Sequence, residues 1–104
     1  MSIGSLQKRA LEIREKYKKL EVIKGGSEWS NEQLVKGFLK DVQDLLYLLD
    51  NKKNKEKISH EMSDCLWSVL VLAKKLNIDI EQSFLENMDQ LEDKIDKEIN
   101  SYKD

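Results

Sequence analysis

Two neighbouring stretches constrain the fold of this 104-residue chain more than any other feature. In residues 31–49, Leu34, Phe38, Val42, Leu45 and Leu49 recur at steps of three and four, and Val35, Leu39, Leu46 and Leu48 widen the stripe. That period is helical, and so broad an apolar surface predicts a central helix. In residues 56–76, Met62, Cys65, Leu66 and the run Val69-Leu70-Val71-Leu72-Ala73 make a second helix that is apolar nearly all round after its first turns. It too is expected to be buried. The polar, basic residues 50–57 connect the two. They read as a solvated loop, whose lysines are also able to meet a phosphate. The expected central element is an antiparallel helical hairpin.

Each arm carries two acids three residues apart, Asp41 with Asp44 and Glu61 with Asp64. That spacing puts both members of a pair on one helix face. Positions with equal index sums lie level in an antiparallel hairpin, which sets Asp41 near Asp64 and Asp44 near Glu61. Asp41 is one turn from both Phe38 and Leu45, on the inward side. Gly37, one turn earlier, weakens the helix by about 1 kcal/mol against Ala and leaves room for the close approach of a ligand or a helix.

Two further helices flank the hairpin. Leu6, Ala10, Ile13, Tyr17 and Leu20 predict one over residues 5–23, ended by Gly25-Gly26. Ser30 and Gln33 form a capping box for the hairpin's first arm, Asn77 ends the second arm in a left-handed turn, and Asp79 with Gln82 caps the last helix. That helix carries Ile80, Phe84, Leu85, Met88, Leu91, Ile95 and Ile99, and is expected to fray around residues 101–104. With no proline, four glycines and 37% charged residues, the composition agrees with an all-α, four-helix chain.

One domain over residues 1–104 is the expectation at this length. A chain of this size hides roughly 60–68% of its unfolded surface, so the core is thin and a partner subunit would supplement it. A net charge of −2 argues against nucleic acid or an anionic membrane as partner. The single Cys65 excludes an internal disulfide and suits a reducing cytoplasm. Residues 1–5 lack an apolar signal core, and residues 69–73 are too few to span a bilayer.

Several inward carboxylates cannot all stay ionised without a cation, because taking each out of water costs on the order of several kcal/mol. Lys40 is the one close basic side chain in the motif. An oxygen-only set of donors selects Mg²⁺ or Mn²⁺. A di-iron centre would need Glu-x-x-His pairs, and zinc a Cys/His cluster. Neither pattern is in the sequence. Metal-assisted hydrolysis of a phosphoanhydride is the chemistry such a site suits. Acids at this spacing are also common on solvated faces, so spacing alone leaves both readings open. His60 reads as a surface residue or a support for a neighbouring acid, less often a proton relay. Cys65 reads as core, and Trp29 and Trp67 as core or interface residues before base-stacking platforms.

Glu28-Trp29-Ser30, Lys40-Asp41-Val42-Gln43-Asp44-Leu45 and His60-Glu61-Met62-Ser63-Asp64-Cys65-Leu66-Trp67 resemble the MazG-like branch of the all-α nucleoside triphosphate pyrophosphohydrolases. Residues 72–80 and 88–92 agree with the pattern that follows, so the resemblance covers roughly residues 17–95. Lys40 stands where the family's first motif has a Glu, and Gln43 where it usually has Gly. The resemblance implies a MazG-like fold that dimerises into a helical bundle, as a homodimer or a dimer of dimers. It implies Mg²⁺-dependent cleavage of a nucleoside triphosphate to the monophosphate and pyrophosphate, in the clearing of unwanted nucleotides. Asp41, Asp44, Glu61 and Asp64 would hold the metal, with Glu61 and Asp64 as catalytic residues. Lys40 and Lys94 are candidates for phosphate contact, and Trp29 for the edge of the base pocket. The altered first motif supports an alternative, a weak or inactive helical-bundle dimer that binds nucleotide or a protein partner.

Overall fold

Local signals set the ends of the helices. In the computed structural model, which describes residues 2–50 and 55–102, these are α1 (Ile3–Ile23), α2 (Asn31–Asp50), α3 (Lys55–Lys75) and α4 (Ile80–Ser101). No strand occurs among the described residues. α1 begins two residues before the expected start, because the Ser2 hydroxyl accepts the Ser5 N–H at 3.2 Å and takes the N-cap. Its end is a paired turn. Gly25, at φ 85°, donates to the Val22 carbonyl and Gly26 to that of Glu21. The Ser30 hydroxyl accepts the Gln33 N–H, and the Gln33 side chain accepts the Ser30 N–H. Such a capping box is worth about 1 kcal/mol. Asn77, at φ 57°, closes α3, and the Asp79 carboxylate caps α4 by accepting the Gln82 N–H. Residues 51–54 of the expected loop and 103–104 of the expected frayed end lie outside the described residues.

α2 and α3 pack as the hairpin, and α1 lies along α3. The core gathers Ala10, Leu34, Leu70 and Val71, with Ile3, Trp67, Leu72 and Ile80 packed around them. Full burial of a Leu or Val contributes about 1.5–3 kcal/mol. Two bonds fasten α1 to α3. The Trp67 indole N–H donates to the Ala10 carbonyl at 3.0 Å, and the Gln7 amide to the Leu70 carbonyl at 3.0 Å. Trp67 also meets the Tyr17 ring at a tilt, with 5.8 Å between ring centres.

The expected burial of the two central helices is only half met. α3 buries Ser68, Leu70, Val71 and Ala73, yet Met62 and Leu66 in its first half are exposed. α2 buries Leu34 alone, and Leu39, Val42, Leu46 and Leu49 stay open. The reason is geometric: both arms are apolar on more than one face, and α3 packs against both α2 and α1 while α2 packs mainly on α3. α4 joins the core through Ile80 and buries none of its residues. The accessible surface is 8502 Å², against about 6,100 Å² for a compact protein of this mass. The radius of gyration is 17.7 Å, against about 13 Å for a compact chain of this length. No helix among the described residues is long and apolar enough to cross a membrane.

Candidate metal centre

The hairpin places carboxylates from both arms against each other. One carboxylate oxygen from each of Asp41, Asp44 and Glu61 lies within 4.8 Å of the other two. A second group, His60, Glu61 and Asp64, meets the same limit, so Glu61 belongs to both. All four acids are half-buried. Glu61 Oε2 is buried and has no hydrogen-bond partner among the described residues. Burial pushes the Asp41 carboxyl above its ordinary range, and the charges of Asp64 and then Asp44 add to the shift. Lys40 and His60 oppose it more weakly. The charge of Asp64, from the other arm, thus bears on Asp41 more than that of its own-helix neighbour Asp44 does.

The other sequence candidates fall in different places. Lys40 is 74% exposed and pairs with Asp44, one turn on, at 3.2 Å. His60, read from sequence mainly as a surface residue, is exposed but reaches Asp64 with Nε2 at 3.3 Å. Its spacing four before Asp64 was the available signal. Cys65 is half-buried beside the acids, and burial followed by the charges of Asp41, Glu61 and Asp64 keeps its thiol protonated above the usual range. Trp29 is 41% exposed. Its indole lies over Gly37, where a Cβ would stand 3.4 Å from Cζ3. The close approach at Gly37 is thus made neither by a ligand nor by a helix but by the Trp29 side chain of the link before α2. Lys94 lines an open groove of α4 with Met88, Leu91, Ile95 and Glu98, and none of the four acids borders it. Within one chain, Lys94 is not brought to the hairpin acids.

Residues 29–98 match the family model of the MazG nucleotide pyrophosphohydrolase domain. The chain belongs to this family. No curated protein and no solved structure matches it. The MazG match opens at Trp29 and spans both arms of the hairpin and most of α4, while α1 precedes it.

The residues of this MazG domain fit a hard divalent cation. Asp41, Asp44 and Glu61 offer carboxylate oxygens alone, the set that Mg²⁺ and Mn²⁺ favour, while the His60, Glu61 and Asp64 group adds an imidazole, a donor that also suits zinc or iron. Glu61 Oε2 lacks a partner, and burial, followed by the charges of Asp64 and Asp44, raises Asp41; a bound cation would answer both.

Proposed function

We propose that the chain is a Mg²⁺-dependent nucleoside triphosphate pyrophosphohydrolase, with Mn²⁺ as a substitute, acting as one domain over residues 1–104. The observation that carries this reading is Glu61. Its carboxylate stands in both acid groups and keeps one buried oxygen without a partner. Asp41, Asp44, Glu61 and Asp64 would hold the metal. A metal held there would supply positive charge against the triphosphate. One carboxylate, of Glu61 or of Asp64, would take the proton of the attacking water. His60, exposed and 3.3 Å from Asp64, passes it to solvent. Lys40, on the open side of Asp44, meets a phosphate oxygen. Trp29 borders the base.

The surplus of accessible surface and the open apolar faces of α2 and α4 support a homodimer or a dimer of dimers. Light scattering tests this by giving twice the 12.2 kDa chain mass or more.

One observation favours a second reading. Lys40 already neutralises part of Asp44, which leaves less negative charge for metal. A protein of this kind holds nucleotide without cleaving it. Pyrophosphate release from nucleoside triphosphates separates the two.

A further inference from the structure

Arg14 is 3% exposed, an unusual place for a guanidinium in a domain with so thin a core. It grips Glu21, two turns further along α1, through two parallel bonds of 2.8 Å. The Arg14 guanidinium holds the Glu21 carboxyl below its ordinary range against the opposing effect of burial, and the Trp29 N–H adds to it. Glu21 Oε1 accepts that N–H at 3.1 Å. From the end of α3, Lys75 donates to the Trp29 carbonyl at 3.2 Å. Both polar backbone groups of Trp29 are thus held by side chains of two helices.

An ion pair buried in this way adds little stability that apolar side chains of the same volume would not supply. It does what apolar side chains cannot, which is to fix one backbone N–H at one place. Trp29 and Gln33 also border an open cleft of about 420 Å³ beside Glu21 and Lys24, a volume in the range of small-ligand pockets. From this cleft, Gln33, Gly37 and Asp41 follow at steps of four on one face of α2, about 12 Å along the axis. The path joins the indole to the acid groups.

We propose that Arg14, Glu21 and Lys75 are positioning residues that hold the Trp29 indole as the wall on which a nucleobase stacks, and so set the preference for a nucleoside triphosphate over bare triphosphate. The proposal rests on the nucleotide reading above. It adds which residues confer recognition of the nucleoside half.

The test is calorimetric binding, with Mg²⁺, of the α,β-methylene analogues of the four deoxynucleoside triphosphates, beside inorganic triphosphate. The variants are Arg14→Met with Glu21→Leu, which fills the same space without the ion pair, and Lys75→Met, a change at the helix end that leaves the core intact. Circular dichroism and the Mg²⁺-induced rise in melting temperature confirm the fold and the metal site. The double variant is expected to lose tenfold or more of its affinity for the best nucleoside analogue, and Lys75→Met about threefold. Inorganic triphosphate should bind both within twofold of the unaltered chain. Trp29→Ala should reproduce the tenfold loss and add little in the double variant. Equal losses for both ligands, or unchanged nucleoside affinity in either folded variant, overturn the proposal. An unaltered chain that binds the analogues no better than inorganic triphosphate also overturns it, yet leaves the metal site standing. Should the unaltered chain bind neither ligand, the nucleotide reading falls and this proposal with it.

Discussion

The Glu61 carboxylate on α3 comes within 4.8 Å of the Asp44 carboxylate on α2, across the two arms of the hairpin. Each arm brings two of the four acids. Together the arms supply oxygen donors from opposite sides, and the apolar packing of Leu34 against Leu70 and Val71 holds the arms in register. The arrangement is unfavourable without a cation, and that makes it testable by stability alone.

Mg²⁺ should stabilise the fold by mass action. At a free concentration a hundred times the Kd, the gain is about 2.7 kcal/mol, or roughly 10–20 °C for a domain of this size. Glu61→Gln should abolish most of that rise, because Glu61 belongs to both acid groups. Melting curves at graded Mg²⁺ read the effect directly.

Without metal, Asp41→Asn should melt higher than the unaltered chain at neutral pH. Asn avoids burying a charge and then relieves the like-charge contacts with Asp64 and Asp44; the like-charge part is worth about 0.5 kcal/mol, or about 2–4 °C. The sign follows from the raised Asp41 pKa. The folded state binds this proton more tightly than the unfolded chain, so the penalty is absent in acid. It grows as pH rises from the ordinary carboxylate range through the raised folded value. Melting temperatures in a chelator, taken across that range, should show the two proteins converging at low pH.

Arg14→Ala should destabilise the protein by roughly 3 kcal/mol, because it strands the half-shielded Glu21 carboxylate. The melting temperature should fall by more than about 10 °C. Arg14→Met with Glu21→Leu should lose far less. Since Arg14 lowers the Glu21 pKa, the pair stabilises the fold above the ordinary carboxylate range, and that contribution fades as pH drops through the folded value. The gap between Arg14→Ala and the unaltered chain should therefore narrow in acid.

Gly37→Ala should raise stability by about 0.5–1 kcal/mol, the usual helix preference. The new methyl meets Trp29 Cζ3 at 3.4 Å, an ordinary contact. Gly37→Leu has no such room and should push the indole away, which Trp fluorescence and nucleotide affinity would both register. Equal behaviour of the two variants would mean that Trp29 does not rest on Gly37.

The helix ends were legible because capping is local: Ser30 with Gln33, Asn77 and Asp79 each act within a few residues. The meeting of Asp44 with Glu61 was legible because an antiparallel pair has a simple register. Arg14 was hidden, since one Arg in a charged helix reads as solvated. Yet Ala10, Arg14, Tyr17 and Glu21 recur at steps of four and three, which places the ion pair along the apolar stripe. The exposure of α2 and α4 was hidden for another reason. An apolar stripe states that a face seeks cover, and says nothing of whether the same chain provides it.

The proposed reaction is cleavage of a phosphoanhydride by the acids of the hairpin. The most direct measurement is pyrophosphate release from a panel of standard and modified nucleoside triphosphates with Mg²⁺ or Mn²⁺, run beside Glu61→Gln. The account predicts release from at least one nucleotide, dependent on the metal and lowered by a factor of about 100 or more in the variant, the scale on which loss of a charge-stabilising group acts. Release that persists in Glu61→Gln, or no release from any nucleotide while Mg²⁺ still raises the melting temperature, would contradict it.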